Sequence, residues 1–477
     1  MAKFDYDLIV IGGGSAGISS AILGMKLGKK VALVEKNRIG GDCTWYGCVP
    51  SKALIKVSEV AHKTTHLYDY GLRLNASVKP DTSQVMNHVR SIREQVYQEE
   101  TPEVFEKMGI AVFIGPPEFL DAYQLKIGDK TVSAKKFIIA TGSGPVVPSI
   151  EGIENIPYLT NETLFDLEEL PGSMIILGGG PIGSEMASAL NRLGVNITQI
   201  EKGERILPRE DPELVEILTQ RFKQEGINLL TGSQAIRLEK GEDKIVVTIK
   251  NPRNENREIA ADKILIAVGR KPNIQGLNLE AAGVQYDARG IRTNQHLRTS
   301  AKNIYACGDV IGSYQFSHIA EYHASVAVPN AVLPLPVKRK INYDNIVLGT
   351  FTDPEFAHAG LTEAEAREKF GDRIKVYRFP YEKIDRAKTD LAMTGMSKFI
   401  CDRRGRLLGI HIIGERAADI LHEAQLAKSL GVPFYKIQSM IHIYPTYGDA
   451  VKRPAVAAYA DKLQNNFFIK LLRAVKK

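Results

Sequence analysis

Two stretches of this 477-residue chain repeat one pattern: an apolar strand, a glycine turn, an apolar helix and a second strand ending in an acid. The first is Tyr6–Ile11, Gly12-Gly13-Gly14-Ser15-Ala16-Gly17, a helical stretch to Leu27, then Lys30–Val34 and Glu35. The second is Ser173–Leu177, Gly178-Gly179-Gly180-Pro181-Ile182-Gly183, then Asn196–Ile200 and Glu201. In such a unit the first glycine (Gly12, Gly178) permits the tight turn. The second (Gly14, Gly180) lets backbone approach a pyrophosphate, and the third (Gly17, Gly183) lets helix pack closely on strand. The helix N-terminus offers unpaired N–H groups to phosphate. The terminal acid accepts hydrogen bonds from a ribose 2′-hydroxyl, which for Glu201 favours NADH, with NADPH as the alternative because Lys202, Arg205 and Arg209 lie close by in sequence. Two units mean two dinucleotides, as a two-electron relay from nicotinamide to flavin requires.

Three further strands run into turns of the same style. Lys136–Ala140 leads into Thr141-Gly142-Ser143, and Lys263–Val268 into Gly269-Arg270-Lys271-Pro272. Asn303–Cys307 leads into Gly308-Asp309, where Asp309 reads either as a partner for a sugar-alcohol hydroxyl or as a helix N-cap. The fold class expected is α/β, with two Rossmann-like nucleotide domains and an α+β C-terminal unit.

Composition narrows the alternatives. This length implies about three domain-sized units. No apolar run reaches the roughly 18 residues of a membrane span, and the start enters a strand too soon for a signal peptide; a cytoplasmic location is expected. The net charge of +7 comes from Lys and Arg spread along the chain, which argues against nucleic-acid binding and suits anionic cofactors.

Only four cysteines occur, too few for a secreted disulfide scaffold. Cys307 and Cys401 stand alone and read as packing residues. Cys43 and Cys48 lie five apart in Gly40-Gly41-Asp42-Cys43-Thr44-Trp45-Tyr46-Gly47-Cys48-Val49-Pro50-Ser51-Lys52. Zinc is a poor reading there, since a structural site needs four ligands and no second Cys or His cluster exists in the sequence; no metal site is expected. A redox disulfide is the better one. In a regular helix, residues five apart project about 140° from each other, so the segment must be distorted, and Gly47 is placed to permit it. A strained pair at a helix terminus suits a catalytic disulfide, because nearby N–H dipoles lower the thiol pKa.

With GGDCTWYGCVPSKAL, ATGS, GGGPIGSE, AVGRKPN, YACGDV and TDPEFAHAG, the chain resembles the pyridine nucleotide–disulfide oxidoreductases from about residue 5 to about residue 460. This group includes dihydrolipoamide dehydrogenase, glutathione reductase and mercuric reductase. The resemblance implies an FAD domain split into residues 1–150 and 273–337, an NAD(P) domain over 151–272, and an interface domain over 338–477 that makes a homodimer. It implies that Cys48 lies against the flavin, that Cys43 exchanges with substrate, that Lys52 and Glu185 form an ion pair near flavin and nicotinamide, and that Asp309 contacts the ribityl chain. The function implied is transfer of electrons from NAD(P)H through FAD to the Cys43–Cys48 disulfide and on to a disulfide or thiol-type substrate. The alternatives are a metal ion reductase like mercuric reductase, a diaphorase or quinone reductase, and a flavoprotein whose main role is binding.

The chain departs from the pattern near its end. Thiol-handling members carry a motif like H-x-H-P-T-x-x-E, in which the second His is the acid/base and the Glu orients it. Here Tyr444 stands at the base position and Asp449 at the carboxylate position of His442-Ile443-Tyr444-Pro445-Thr446-Tyr447-Gly448-Asp449. A tyrosine is a poor base at neutral pH but a tolerable proton donor. Mercuric reductases carry a cysteine pair in the C-terminal tail, whereas this chain has no cysteine after Cys401. Residues 465–477 read as a basic amphipathic helix, able either to dock on the dimer or to touch an anionic membrane.

Overall fold

The computed structural model describes residues 4–73 and 78–466. The tail predicted as an amphipathic helix lies outside these residues except for its first two positions. The strands that begin each glycine unit are buried along most of their length, as parallel strands covered on both faces must be.

The first sheet has seven strands. Its parallel part runs Ala111–Ile114, Val31–Glu35, Tyr6–Ile11, Lys130–Ile139 and, added from much later in the chain, Ile304–Ala306. The strand expected at Lys136–Ala140 starts earlier, at Lys130. Its first half pairs antiparallel with Gln124–Ile127, and only its second half enters the parallel core. The early residues Lys130 and Thr131 are exposed, which is why an apolar count misses them. The helix Ser15–Lys26 and the late helix Ser317–Val332 share one core cluster over this sheet.

The second unit is a four-stranded parallel sheet in the order Asn228–Leu230, Asn196–Ile200, Ser173–Leu177, Lys263–Ile266, with a three-stranded antiparallel sheet from 234–261 beside it. A short antiparallel pair, Ser143–Pro145 with Arg270–Pro272, forms where the chain leaves the first unit and returns to it. The third unit is an antiparallel sheet in the order Val347–Thr350, Glu355–Gly360, Leu407–Gly414, Met396–Asp402, Ile374–Pro380. The helices Ala417–Ser429 and Asp449–Gln464 pack against it. Cys307 and Cys401 are buried in the first and third cores, as their isolation suggested. No helix among the described residues is long and apolar enough to cross a membrane.

Lys398 joins the second and third units. Its ammonium, buried in the C-terminal sheet, bonds Asp211 at 2.9 and 3.0 Å and Glu213 at 2.8 Å, both at the start of the helix Pro212–Gln224.

Candidate active site

The two glycine turns superimpose in their physics. Gly12 and Gly178 have φ of 104° and 114°, in the left-handed region that glycine alone adopts freely. A Cβ on Gly17 would sit 1.7 Å from Gly12 O, and one on Gly183 would sit 2.2 Å from Gly178 O, so each helix rests directly on its own turn. Gly14 and Gly180 face outward: a Cβ on Gly180 would meet nothing within 4 Å, and one on Gly14 would meet only Gly41 Cα at 3.8 Å. The acids do matching work. Glu35 accepts the Gly13 N–H at 2.7 Å and Glu201 accepts the Gly179 N–H at 2.5 Å, so each strand-end carboxylate holds its turn.

Between the turns lies one cavity of about 1750 Å³. It is lined by both glycine turns, both acids, Cys43, Cys48, Lys52, Thr141, Gly142, Glu185, Gly269 and Asp309. A single drug-sized ligand occupies roughly 300–1,000 Å³, so this space suits two dinucleotides end to end. Thr141 and Gly142 are tied to the second crossing strand: the Thr141 hydroxyl donates to Asn273 O at 2.7 Å, and Asn273 N–H donates to Gly142 O at 3.0 Å. Asp309 is not a helix cap. Cys307 holds the cap position of the short turn Gly308–Ile311, and the Asp309 carboxylate accepts Ser143 Oγ–H at 2.7 Å with Arg270 Nε 3.9 Å away. Burial raises its pKa, against the lowering effects of Ser143 and Arg270.

The cysteine segment breaks as its spacing demanded. A short helix, Gly41–Trp45, stops, Gly47 turns the chain with φ −124° and ψ −115°, and a new helix, Cys48–Thr65, begins at Cys48 itself. Gly47 is needed because a Cβ there would lie 2.9 Å from Asp42 O. The two sulfurs lie near 3.5 Å apart with no bond between them. The hydrogen bond from the Cys43 thiol lowers the Cys48 pKa to about 6, with help from Ser317 and the Lys52 charge against the opposing effect of burial. The same bond, with burial, raises Cys43. Of the two thiols, Cys48 is thus the more readily ionised, and it stands at a helix N-terminus, which favours a negative charge.

Lys52, one turn into that helix, meets Glu185 of the helix Pro181–Arg192 at 2.8 Å. The other Glu185 oxygen accepts the Phe351 N–H at 2.9 Å, and Lys52 Nζ lies 4.4 Å from the Phe351 ring centre. All three units thus converge beside Cys48.

The C-terminal residues sit elsewhere. Tyr444 does not line the cavity; it is 64% exposed beside Ile441, which is fully exposed. The carboxylate on its hydroxyl is Asp385, which accepts it at 3.0 Å and raises its pKa. Asp449 is buried and lies 3.4 Å from Arg453 instead. Tyr444 and Asp449, five positions apart, would have had to close a hydrogen bond across a turn, whereas Asp385 comes from a distant helix with no local sequence signal. His442, two positions before Tyr444, pairs with Glu423 at 2.9 Å. Sequence reasoning also passed over Ser317, 3.5 Å from Cys48 Sγ, and Phe351. Arg270 lay inside a motif that was singled out, yet its role as a clamp on Asp42 (3.1 Å) and Ser143 shows only in three dimensions.

Comparison with known proteins agrees with this geometry. The pyridine nucleotide-disulphide oxidoreductase model matches residues 6–324, and that family's dimerisation domain matches residues 346–455. The chain belongs to the pyridine nucleotide-disulphide oxidoreductase family. It is 34% identical to a mercuric reductase of Bacillus cereus over 94% of this chain and 71% of that protein. It is equally 34% identical to a dihydrolipoyl dehydrogenase of Corynebacterium glutamicum, over 94% and 97%. Among solved structures it is similar to a Cu(II) complex of the HOCl-induced flavoprotein disulfide reductase RclA of Escherichia coli, with a TM-score of 0.85 and 27% identity over 96% of this chain and all of that one.

The chain is therefore an FAD-dependent NAD(P)H disulfide oxidoreductase that forms a homodimer. The cavity fits FAD: the turn at Gly14 is open, and the half-buried Asp309 carboxylate, which takes Ser143 on one oxygen, lines the cavity where it can accept a hydroxyl. With flavin bound, the thiolate of reduced enzyme should give a long-wavelength absorbance band. That band should grow as pH rises through about 6, where Cys48 ionises, and fade below it. Lys52→Met should move the midpoint to higher pH. A midpoint unmoved by that substitution would contradict the electrostatic assignment.

Proposed function

We propose that this enzyme draws electrons from NADH and reduces a small disulfide or other thiol-reactive acceptor at Cys43. The observation that carries this reading is the close approach of Cys43 to Cys48, which opens a helix, beside the Lys52–Glu185 contact. Gly12, Gly14, Gly17, Glu35, Thr141, Gly142 and Asp309 hold FAD in this reading, and Gly178, Gly180, Gly183, Glu201 and Gly269 hold the nicotinamide nucleotide. FAD, when bound, supplies two-electron transfer between the nicotinamide and the cysteines. Cys43 then attacks a substrate sulfur, breaking the substrate disulfide and forming a mixed one. Cys48 attacks Cys43 in turn, closing the Cys43–Cys48 bond and releasing the second substrate thiol. One proton for the two product thiols comes from Cys43 and the other from outside the pair. Tyr444 of the partner subunit is the donor we assign, since the exposed stretch that carries it is apolar and suited to a dimer contact.

A second reading is reduction of a thiophilic metal ion. It is favoured by the likeness to mercuric reductases and by the copper complex of RclA. Residues 402–477 hold no cysteine that could pass such an ion to the Cys43–Cys48 pair.

One panel of disulfides, quinones, Hg(II) and Cu(II), assayed with NADH, separates these readings. Disulfide reduction should dominate and vanish in Cys43→Ser. Tyr444→Phe should slow disulfide turnover by about tenfold or more, within the usual range for a lost acid catalyst, while flavin reduction by NADH keeps its rate. A Cys43→Ser enzyme that retains full acceptor activity would refute the assignment.

NADH is preferred in this reading because Glu201 stands where a 2′-phosphate would fall and would repel it. The ratio of kcat/KM for NADH over NADPH should exceed tenfold and should drop in Glu201→Gln. A tenfold preference for NADPH would overturn it.

A further inference from the structure

Away from the cysteines, the C-terminal sheet sets two histidines side by side. His358 and His411 are directly opposed residues of the antiparallel strands Glu355–Gly360 and Leu407–Gly414. Their imidazoles stack with centroids 5.4 Å apart and planes 20° from parallel. Glu210, just before the helix Pro212–Gln224 of the nucleotide unit, bonds His358 Nδ1 with its carboxylate. A nitrogen of each ring and a Glu210 oxygen lie within 4.8 Å of one another. All three residues are buried: Glu210 is 6% exposed, His358 8% and His411 0%.

His411 carries the independent sign of a ligand. Its Nε2–H donates to Leu361 O at 2.9 Å, while its Nδ1 is buried with no hydrogen-bond partner among the described residues. A buried lone pair of this kind normally has a partner. A neutral imidazole whose other nitrogen is anchored to a backbone carbonyl is how metal-bound histidines are held. Lys398 is opposed to His411 on the neighbouring strand. It is already held by Asp211, Glu213 and Glu363, so carboxylates outnumber its charge. Glu210 also lines the large cavity, which offers an ion a route in.

We propose that Glu210, His358 and His411 bind a divalent transition metal ion of the zinc class. The His411 Nδ1 lone pair, a His358 nitrogen and a Glu210 oxygen serve as ligands, with water from the cavity at the fourth position. Two imidazoles and one carboxylate suit zinc in a tetrahedral arrangement and are a poor match to calcium or magnesium, which take oxygen ligands. Bonds of about 2.0–2.2 Å require the three atoms to draw together, a movement the rotatable Glu210 side chain supplies. The ion clamps the nucleotide unit to the C-terminal unit and is separate from the cysteine pair.

Because the thiols also bind zinc, the test uses full-length flavoprotein carrying Cys43→Ser and Cys48→Ser. After chelator treatment, zinc chloride addition and desalting, it should retain about one zinc per chain by elemental analysis. Its melting temperature should rise with zinc concentration, as for any ligand of the folded state. Adding His411→Asn, or separately Glu210→Gln, should remove both the bound zinc and the rise while FAD content stays at the level of the parent. Absence of zinc from the parent would overturn the proposal. So would an equal zinc content in either variant, with FAD content confirming that each has folded.

Discussion

One ammonium–carboxylate contact holds the chemistry together. Lys52 belongs to the helix that starts at Cys48, Glu185 to the helix that starts at the second glycine turn, and the second Glu185 oxygen binds backbone of the C-terminal unit. A half-buried cation placed there does two things at once. It links the helix that starts at Cys48 to the helix that starts at the second glycine turn, and it adds positive potential that favours ionisation of Cys48. Burial opposes a charge on Cys48, while hydrogen bonds from Cys43 and Ser317 and the Lys52 field favour it, and the balance lowers the Cys48 pKa. The surrounding architecture brings these groups from three separate sheets to within a few ångströms.

The twin nucleotide units show how one backbone solution is used twice. In each, a glycine in the left-handed region turns the chain, the third glycine, without room for Cβ, lets the helix rest on the turn, and an acid at the next strand end ties the loop down. The acid therefore has a structural task in addition to the ribose contact assigned to it. Substituting it affects the loop as well as cofactor choice, and the two effects separate only when binding and stability are measured together.

Much of this was legible in sequence because it is local. The glycine turns, their strands and the break between Cys43 and Cys48 all follow from spacing within about thirty residues. What sequence missed is contact between distant segments. Asp385 takes the Tyr444 hydroxyl from 59 positions away. Ser317 reaches Cys48 across 269 positions, on a helix whose periodicity says only that it is buried. The strand from Lys130 was read too short because half of it pairs outside the parallel core, where polar residues are allowed. His358 and His411 are 53 positions apart by their numbers, and no ligand spacing joins them; strand pairing alone makes them neighbours.

The central claim is that the cysteine pair is an electron store in series with the flavin. Anaerobic titration of oxidised enzyme with NADH tests it most directly. The account predicts that full reduction of the wild type takes about two equivalents per FAD, one for the disulfide and one for the flavin, and that Cys48→Ser takes about one, each hydride carrying two electrons. A wild type fully reduced by a single equivalent, indistinguishable from Cys48→Ser, would contradict it.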